Sequence, residues 1–308
     1  MKVKNIQSVC RSTFEKWLKS ITDDRVRELA RENTIITGGA IASMLLGEEV
    51  HDFDLYFRTR EATRAVAQYY VEKFLATHKL KHKGGCNIDV SVDDWSKTDR
   101  IQIHVKSSGV VSEHSENNYQ YFETTDPESG DAAEYAETAL AATEEAEAAE
   151  QELPKYRPVF LTTNAITLSQ KIQLVIRFYG EPDEIHANYD FVHCTCYWTS
   201  WGGLLVRRPE ALEALLARDL RYVGSRYPLC SLIRVRKFIQ RGWKISAGAF
   251  LKIALNLQEF DLKDVAVLED QLTGVDAAYF SQIIEALKKR DDKVVDTSYL
   301  VELIDRLF

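Results

Sequence analysis

Thr37-Gly38-Gly39-Ala40-Ile41-Ala42-Ser43-Met44-Leu45-Leu46-Gly47, followed by His51-Asp52-Phe53-Asp54-Leu55-Tyr56-Phe57, carries the densest chemical information in this 308-residue chain. The Gly-Gly turn opens a short apolar helix, and a loop leads from it into a strand. Side chains two apart on a strand share a face. Asp52 and Asp54 are therefore expected side by side, with Phe53, Leu55 and Phe57 turned to the core. Two carboxylates held together repel, and one is pushed toward its protonated form unless a cation neutralises them. Mg²⁺ suits such a pair because it takes oxygen ligands and bridges phosphates. Glycine backbone admits a phosphate closely, and a helix start presents unpaired N–H groups and the positive end of the helix dipole.

The arrangement resembles the DNA polymerase β-like nucleotidyltransferases, which include CCA-adding enzymes and poly(A) polymerases. In that superfamily a Gly-Gly or Gly-Ser turn, a helix and an Asp-x-Asp strand follow one another. Gly38, Gly39, Ser43, Asp52 and Asp54 occupy those places here. The resemblance implies catalysis with Mg²⁺ or Mn²⁺ held by Asp52 and Asp54, and a nucleoside triphosphate such as ATP positioned by Gly38, Gly39 and Ser43. It also implies a third metal-binding carboxylate on a neighbouring strand. Asp190 is the first candidate, since it resembles the Asp of an Arg-Asp-Phe-Thr segment in CCA-adding enzymes. Asp89 is the second, and Gln173, a neutral ligand at best, the third.

The composition permits one large or two ordinary domains and a substantial core, at 45% hydrophobic residues. No apolar run approaches the ~20 residues of a membrane span. The first residues lack the apolar region of a secretory signal. The expected location is thus the cytoplasm, or the host cytoplasm if a phage encodes the chain. The five cysteines form no paired framework, and Cys194 and Cys196 read as buried thiols. The net charge of −8 is unevenly spread, because residues 126–152 hold ten Asp or Glu and no Lys or Arg. Without that strip the chain is close to neutral, so a nucleic-acid partner is compatible with it.

Around the central motif, residues 6–32 read as helical, 60–78 as a helix, and Asn87–Val92 and Ile101–Val105 as half-buried strands. Residues 112–153 are polar, then Ala- and Glu-rich, and read as an insertion. Strands follow at Pro158–Leu161, Ala165–Leu168 and Lys171–Arg177. A short Pro-initiated helix covers Pro182–Ala187, and a strand is expected over Tyr189–Trp198. On that strand His193 would face away from Asp190, in the core rather than in catalysis.

The last hundred residues read as helices. The fold class is thus α+β: a mixed nucleotidyltransferase sheet with flanking helices over 1–205, then an all-helical domain over 206–308. The segment Ile233-Arg234-Val235-Arg236-Lys237-Phe238, ending at Gly242-Trp243-Lys244-Ile245, resembles the head-to-neck junction of CCA-adding enzymes with altered arginine spacing. Arg234, Lys237 and Arg241 recur at three and four and line one helix face suited to triphosphate or an RNA backbone. The junction's likeness points to an RNA 3′ end, tRNA among the options, as acceptor. A toxin-like enzyme acting on protein, small molecule or host tRNA, and a degenerate binding module, are the alternatives. The chain also resembles uncharacterised phage nucleotidyltransferases. The sequence carries no signal for oligomeric state.

Overall fold

The computed structural model describes residues 1–77, 90–95, 100–105, 110–112, 154–162 and 164–264, with 267, 268, 271, 298 and 301. Two helices come first. In α1 (Val3–Lys19), Ile6, Cys10, Phe14, Trp17 and Leu18 recur at helical spacing and form one buried stripe. The Asp23 carboxylate accepts the Val26 N–H and caps α2 (Asp24–Asn33). The chain then enters β1 (Thr34–Thr37), α3 (Gly39–Leu46), β2 (Phe53–Phe57) and α4 (Arg60–Thr77). Strands β3 (Val90–Trp95) and β4 (Arg100–Val105) pair as a separate antiparallel ribbon. Asn87–Asp89 and residues 113–153, including nearly all of the acidic insertion, lie outside the described residues.

Strands β5 (Val110–Ser112), β6 (Pro158–Thr162), β7 (Ala165–Leu168) and β8 (Ile172–Tyr179) continue the main sheet. The short α5 (Pro182–His186) follows, then β9 (Tyr197–Thr199) and β10 (Leu205–Val206). The strand order is β10-β9-β1-β2-β8-β7-β6-β5. Within it β2 and β8 run parallel, and the other named pairs run antiparallel. The sheet is mixed, the class is α+β, and helices α6 (Pro209–Ala217), α7 (Pro228–Gln240) and α8 (Ala247–Leu257) follow it.

One face of the sheet carries the main core, where Ile36, Leu55, Phe57, Leu174 and Ile176 meet the stripe of α1 and the inner side of α4. The other face carries Tyr56 and Ile35 against Ile185 of α5. That second face also carries Asp54, two residues before Tyr56 on the same strand. A further apolar cluster joins α3 to the later helices through Ala42, Phe191, Leu215, Tyr222, Val235 and Trp243. Helix α3 is thus wedged between the sheet and the C-terminal helices.

The strand expected over Tyr189–Trp198 is not formed. Phe191 makes an isolated antiparallel bridge to Tyr222, residues Val192–Cys194 turn as a 3₁₀ helix, and only Tyr197–Thr199 is strand. The Thr195 hydroxyl and N–H both donate to the Val192 carbonyl and hold the turn. Alternating apolar residues suggested pleating, but Phe191 and His193 are buried by docking against α7 and Trp243. His193 is a core residue as expected. Its burial pushes the imidazole pKa down to about 4.

Candidate active site

Gly38 is the hinge of the site. It caps α3 with φ 88° and ψ −148°, a conformation essentially confined to glycine. A Cβ there would stand 2.8 Å from Asp54 Oδ2 and 3.5 Å from the Tyr189 hydroxyl. The turn is therefore pressed against the carboxylate, and the Gly38 N–H is anchored by the Cys194 carbonyl at 3.2 Å. Register explains the proximity, since Thr37 of β1 pairs with Asp54 of β2. Gly39 differs: a Cβ on it would meet nothing within 4 Å. Its side faces open space at the start of α3, where the first-turn amides have no carbonyl one turn back. Ser43 lies one turn further along the helix, half-buried.

Asp54 lies in β2, and Asp52 immediately precedes the strand, exposed at the end of the 48–52 loop. Burial, then the Asp52 charge, push the Asp54 carboxyl well above its ordinary range, and Arg234 partly offsets this. Burial, reinforced by the Asp54 charge, likewise pushes the Tyr56 phenol up. Tyr189 is raised too, by burial first and by Tyr56 and Asp54 after it. An electrostatically unfavourable carboxylate pair facing a glycine turn is the donor chemistry a divalent cation relieves, so Asp52 and Asp54 fit such an ion.

Gln173 stands next to this pair. Parallel pairing sets it opposite Asp54, and Leu174 opposite Leu55, so the carboxamide shares the carboxylates' face. Asp190 is placed differently. Its Oδ2 accepts from Arg234 Nη1 at 2.6 Å, and Asp190 is the main cause of that guanidinium's raised pKa. Asp89 lies outside the described residues. Among those described, no group of three or more His, Cys, Asp or Glu is arranged to hold a metal. The donor set beside Gly38 is thus two carboxylates and a carboxamide, with an Arg–Asp pair next to it.

The basic face of α7 divides along its length. Arg234 reaches the site. Lys237 is exposed one turn on, and Arg241 ion-pairs with Glu48 at 2.8 Å. From Leu220 to Gln258 the chain has eight Lys or Arg and no Asp or Glu. Arg226, Arg236, Lys237, Arg241 and Lys244 of this tract are exposed. Cys194, by contrast, is drawn toward its thiol form by burial and by Asp190.

Sequence reasoning missed Tyr56, Tyr189 and Glu48. The alternation that paired Asp52 with Asp54 also places Tyr56 on their face. Tyr189 and Glu48 depend on contacts between distant segments and had no local signal.

A family model described as Gabija anti-defense 2 family protein matches residues 8–218, more than half of the chain. The chain belongs to the Gabija anti-defense 2 family. A curated relative, Gabija anti-defense 2 of Bacillus phage SPbetaL7, is 19% identical over 299 residues. That match covers 93% of this chain and 55% of the relative, so the chain spans about half the length of the curated relative it matches. Similar solved structures include the Thermotoga maritima CCA-adding enzyme complexed with tRNA, at 13% identity and TM-score 0.37, covering 89% of this chain and 55% of that one. The Bacillus stearothermophilus CCA-adding enzyme in complex with CTP gives 13% identity and TM-score 0.37, covering 89% of this chain and 51% of that one. Among the described residues, no helix is long and apolar enough to cross a membrane.

The difference between the two glycines is testable. Gly39→Ala should leave the melting temperature within about 1 °C of wild type, because the new methyl meets no atom. On the phosphate-binding role that the motif's resemblance implies for Gly39, it should raise the KM for nucleotide about tenfold by obstructing approach to the α3 amides. A steady-state titration with thermal melts of both proteins measures the two effects.

Proposed function

We propose that this protein is a Mg²⁺-dependent nucleotidyltransferase that moves NMP from an NTP to a hydroxyl and thereby counters the Gabija defence in the host cytoplasm. The observation carrying this reading is Asp54 set against the Gly38 turn, raised by burial and by the charge of its neighbour Asp52. Bound between these carboxylates, Mg²⁺ would neutralise triphosphate charge and favour ionisation of the attacking hydroxyl. Asp52 and Asp54 would hold that ion. The α3 amides at Gly39 and beyond, with Ser43, cradle phosphate oxygens. Arg234, paired with Asp190 beside Asp54, sets positive potential where pyrophosphate charge develops. Lys237 extends the basic face toward solvent. Asp190 contributes through Arg234, and Gln173 is the neutral oxygen nearest the pair in register.

The acceptor we favour is an RNA 3′ end, because the acid-free tract from Leu220 to Gln258, which includes Arg234, presents several exposed cations. A second reading, a nucleotide-binding module without turnover, draws support from Gln173, since a neutral donor holds a second cation poorly. Incubation of the protein with each α-labelled NTP and Mg²⁺, in separate pools of RNA, protein and small molecules, distinguishes them. We expect label in RNA. Label in protein or in a small molecule transfers the acceptor assignment to that class. Nucleotide binding without label in any pool favours the module.

A further inference from the structure

Glu48 lies four residues before Asp52, at the start of the irregular segment 48–52 that joins α3 to β2. Its carboxylate is held from two sides. Arg218 Nη2 approaches Oε1 at 3.0 Å, and Arg241 Nη2 approaches Oε2 at 2.8 Å. Arg218 also donates from Nη1 to the Arg241 carbonyl at 3.1 Å, which ties the end of α6 to the end of α7. The Glu48 N–H donates to the Ser43 carbonyl at 2.9 Å and fixes the segment to the end of α3. The Glu48 side chain is 26% exposed, and the two exposed arginines stand at 45% and 47%. Two charge-assisted bonds on one carboxylate are geometrically more demanding than an isolated surface pair. On the other side, Lys171 reaches Glu49 at 3.5 Å, and its carbonyl accepts the Phe53 N–H at 2.8 Å.

The segment carrying Asp52 is therefore gripped by the C-terminal helices at one end and by the turn before β8 at the other. Arg241 follows Arg234 by seven residues, about 10.5 Å along a helix axis. One face of α7 thus meets both carboxylate segments: Arg234 lies beside Asp54, and Arg241 holds the segment that ends in Asp52. We infer that Glu48, clamped by Arg218 and Arg241, is a positioning residue that sets Asp52 for metal binding and couples the C-terminal helices to the metal site. This rests on the nucleotidyltransferase reading and assigns Arg241 to the clamp.

The test compares Glu48→Gln, Glu48→Asp and Arg241→Gln with wild type in the full chain. The first readout is amide hydrogen exchange of residues 48–53 without metal. The second is Mn²⁺ affinity by titration, and the third is the split between KM for NTP and kcat. We expect faster exchange confined to 48–53, Mn²⁺ binding weakened 10–100-fold in Glu48→Gln, and partial recovery in Glu48→Asp. We also expect kcat to fall with little change in KM for NTP, and the melting temperature to stay within a few degrees of wild type. Unchanged exchange, or faster exchange with unchanged Mn²⁺ affinity, overturns the clamp while leaving the transferase reading intact. Wild-type protein that binds no Mn²⁺ and transfers no label overturns the transferase reading, and with it the clamp's role.

Discussion

Asp54→Asn should abolish nucleotidyl transfer, by at least about a thousandfold, and yet make the metal-free protein harder to melt. Loss of transfer follows from removal of a metal-binding charge. The gain in stability follows from the site's electrostatics. Burial and Asp52 raise the Asp54 carboxyl well above its ordinary value of 3.8, against the opposing effect of Arg234. The folded chain therefore holds this proton more tightly than the unfolded chain does. Below the ordinary carboxylate range both states are protonated and no penalty exists. As pH rises above that range the unfolded chain ionises freely, and the folded state becomes relatively less stable. The penalty grows until pH passes the raised value. Asparagine carries no such penalty, so the gap in melting temperature should open with rising pH. The variant should melt above wild type at pH 8 and close to it near pH 4. Mg²⁺ should stabilise wild type and leave the variant unmoved. Thermal melts at several pH values, with and without Mg²⁺, measure all of this. A variant less stable than wild type at pH 8 contradicts the account.

Gly38→Ala should damage both the fold and the site. Its backbone conformation is one that side chains rarely adopt, which costs about 1–3 kcal/mol. Its Cβ would also stand 2.8 Å from Asp54 Oδ2, so the carboxylate must move for the methyl to fit. Transfer should fall about a hundredfold or more, together with the melting temperature, whereas Gly39→Ala should leave the latter alone. Parallel melts and assays of the two alanine variants separate strain from obstruction. Equal melting temperatures for the two would contradict the steric account.

Much of this site was legible in the sequence. A Gly-Gly pair before an apolar run identifies a helix start that glycine must open, and Gly38 is that residue. Strand alternation placed Asp54 opposite Leu55 and Phe57 in facing, as β2 shows. The three strand-like runs after Pro158 became β6, β7 and β8, and the helix expected over 60–78 spans Arg60–Thr77. What escaped were contacts between distant segments. Asp190 meets Arg234 across 44 positions, and Glu48 meets Arg241 across 193. Nothing local to these residues encodes the pairing. The misread strand at 189–198 shows the converse failure, since burial in a packed loop produces the same alternation as a pleat.

The proposed function rests on one claim, that Asp52 and Asp54 support metal-dependent release of pyrophosphate from an NTP. The most direct measurement follows pyrophosphate and α-label together in the presence of the acceptor pool, for wild type and for Asp52→Ala/Asp54→Ala. The account predicts that wild type releases one pyrophosphate for each NMP transferred, only with Mg²⁺ or Mn²⁺, and that the double variant stays at background while remaining folded. A folded double variant that transfers label at the wild-type rate would contradict it.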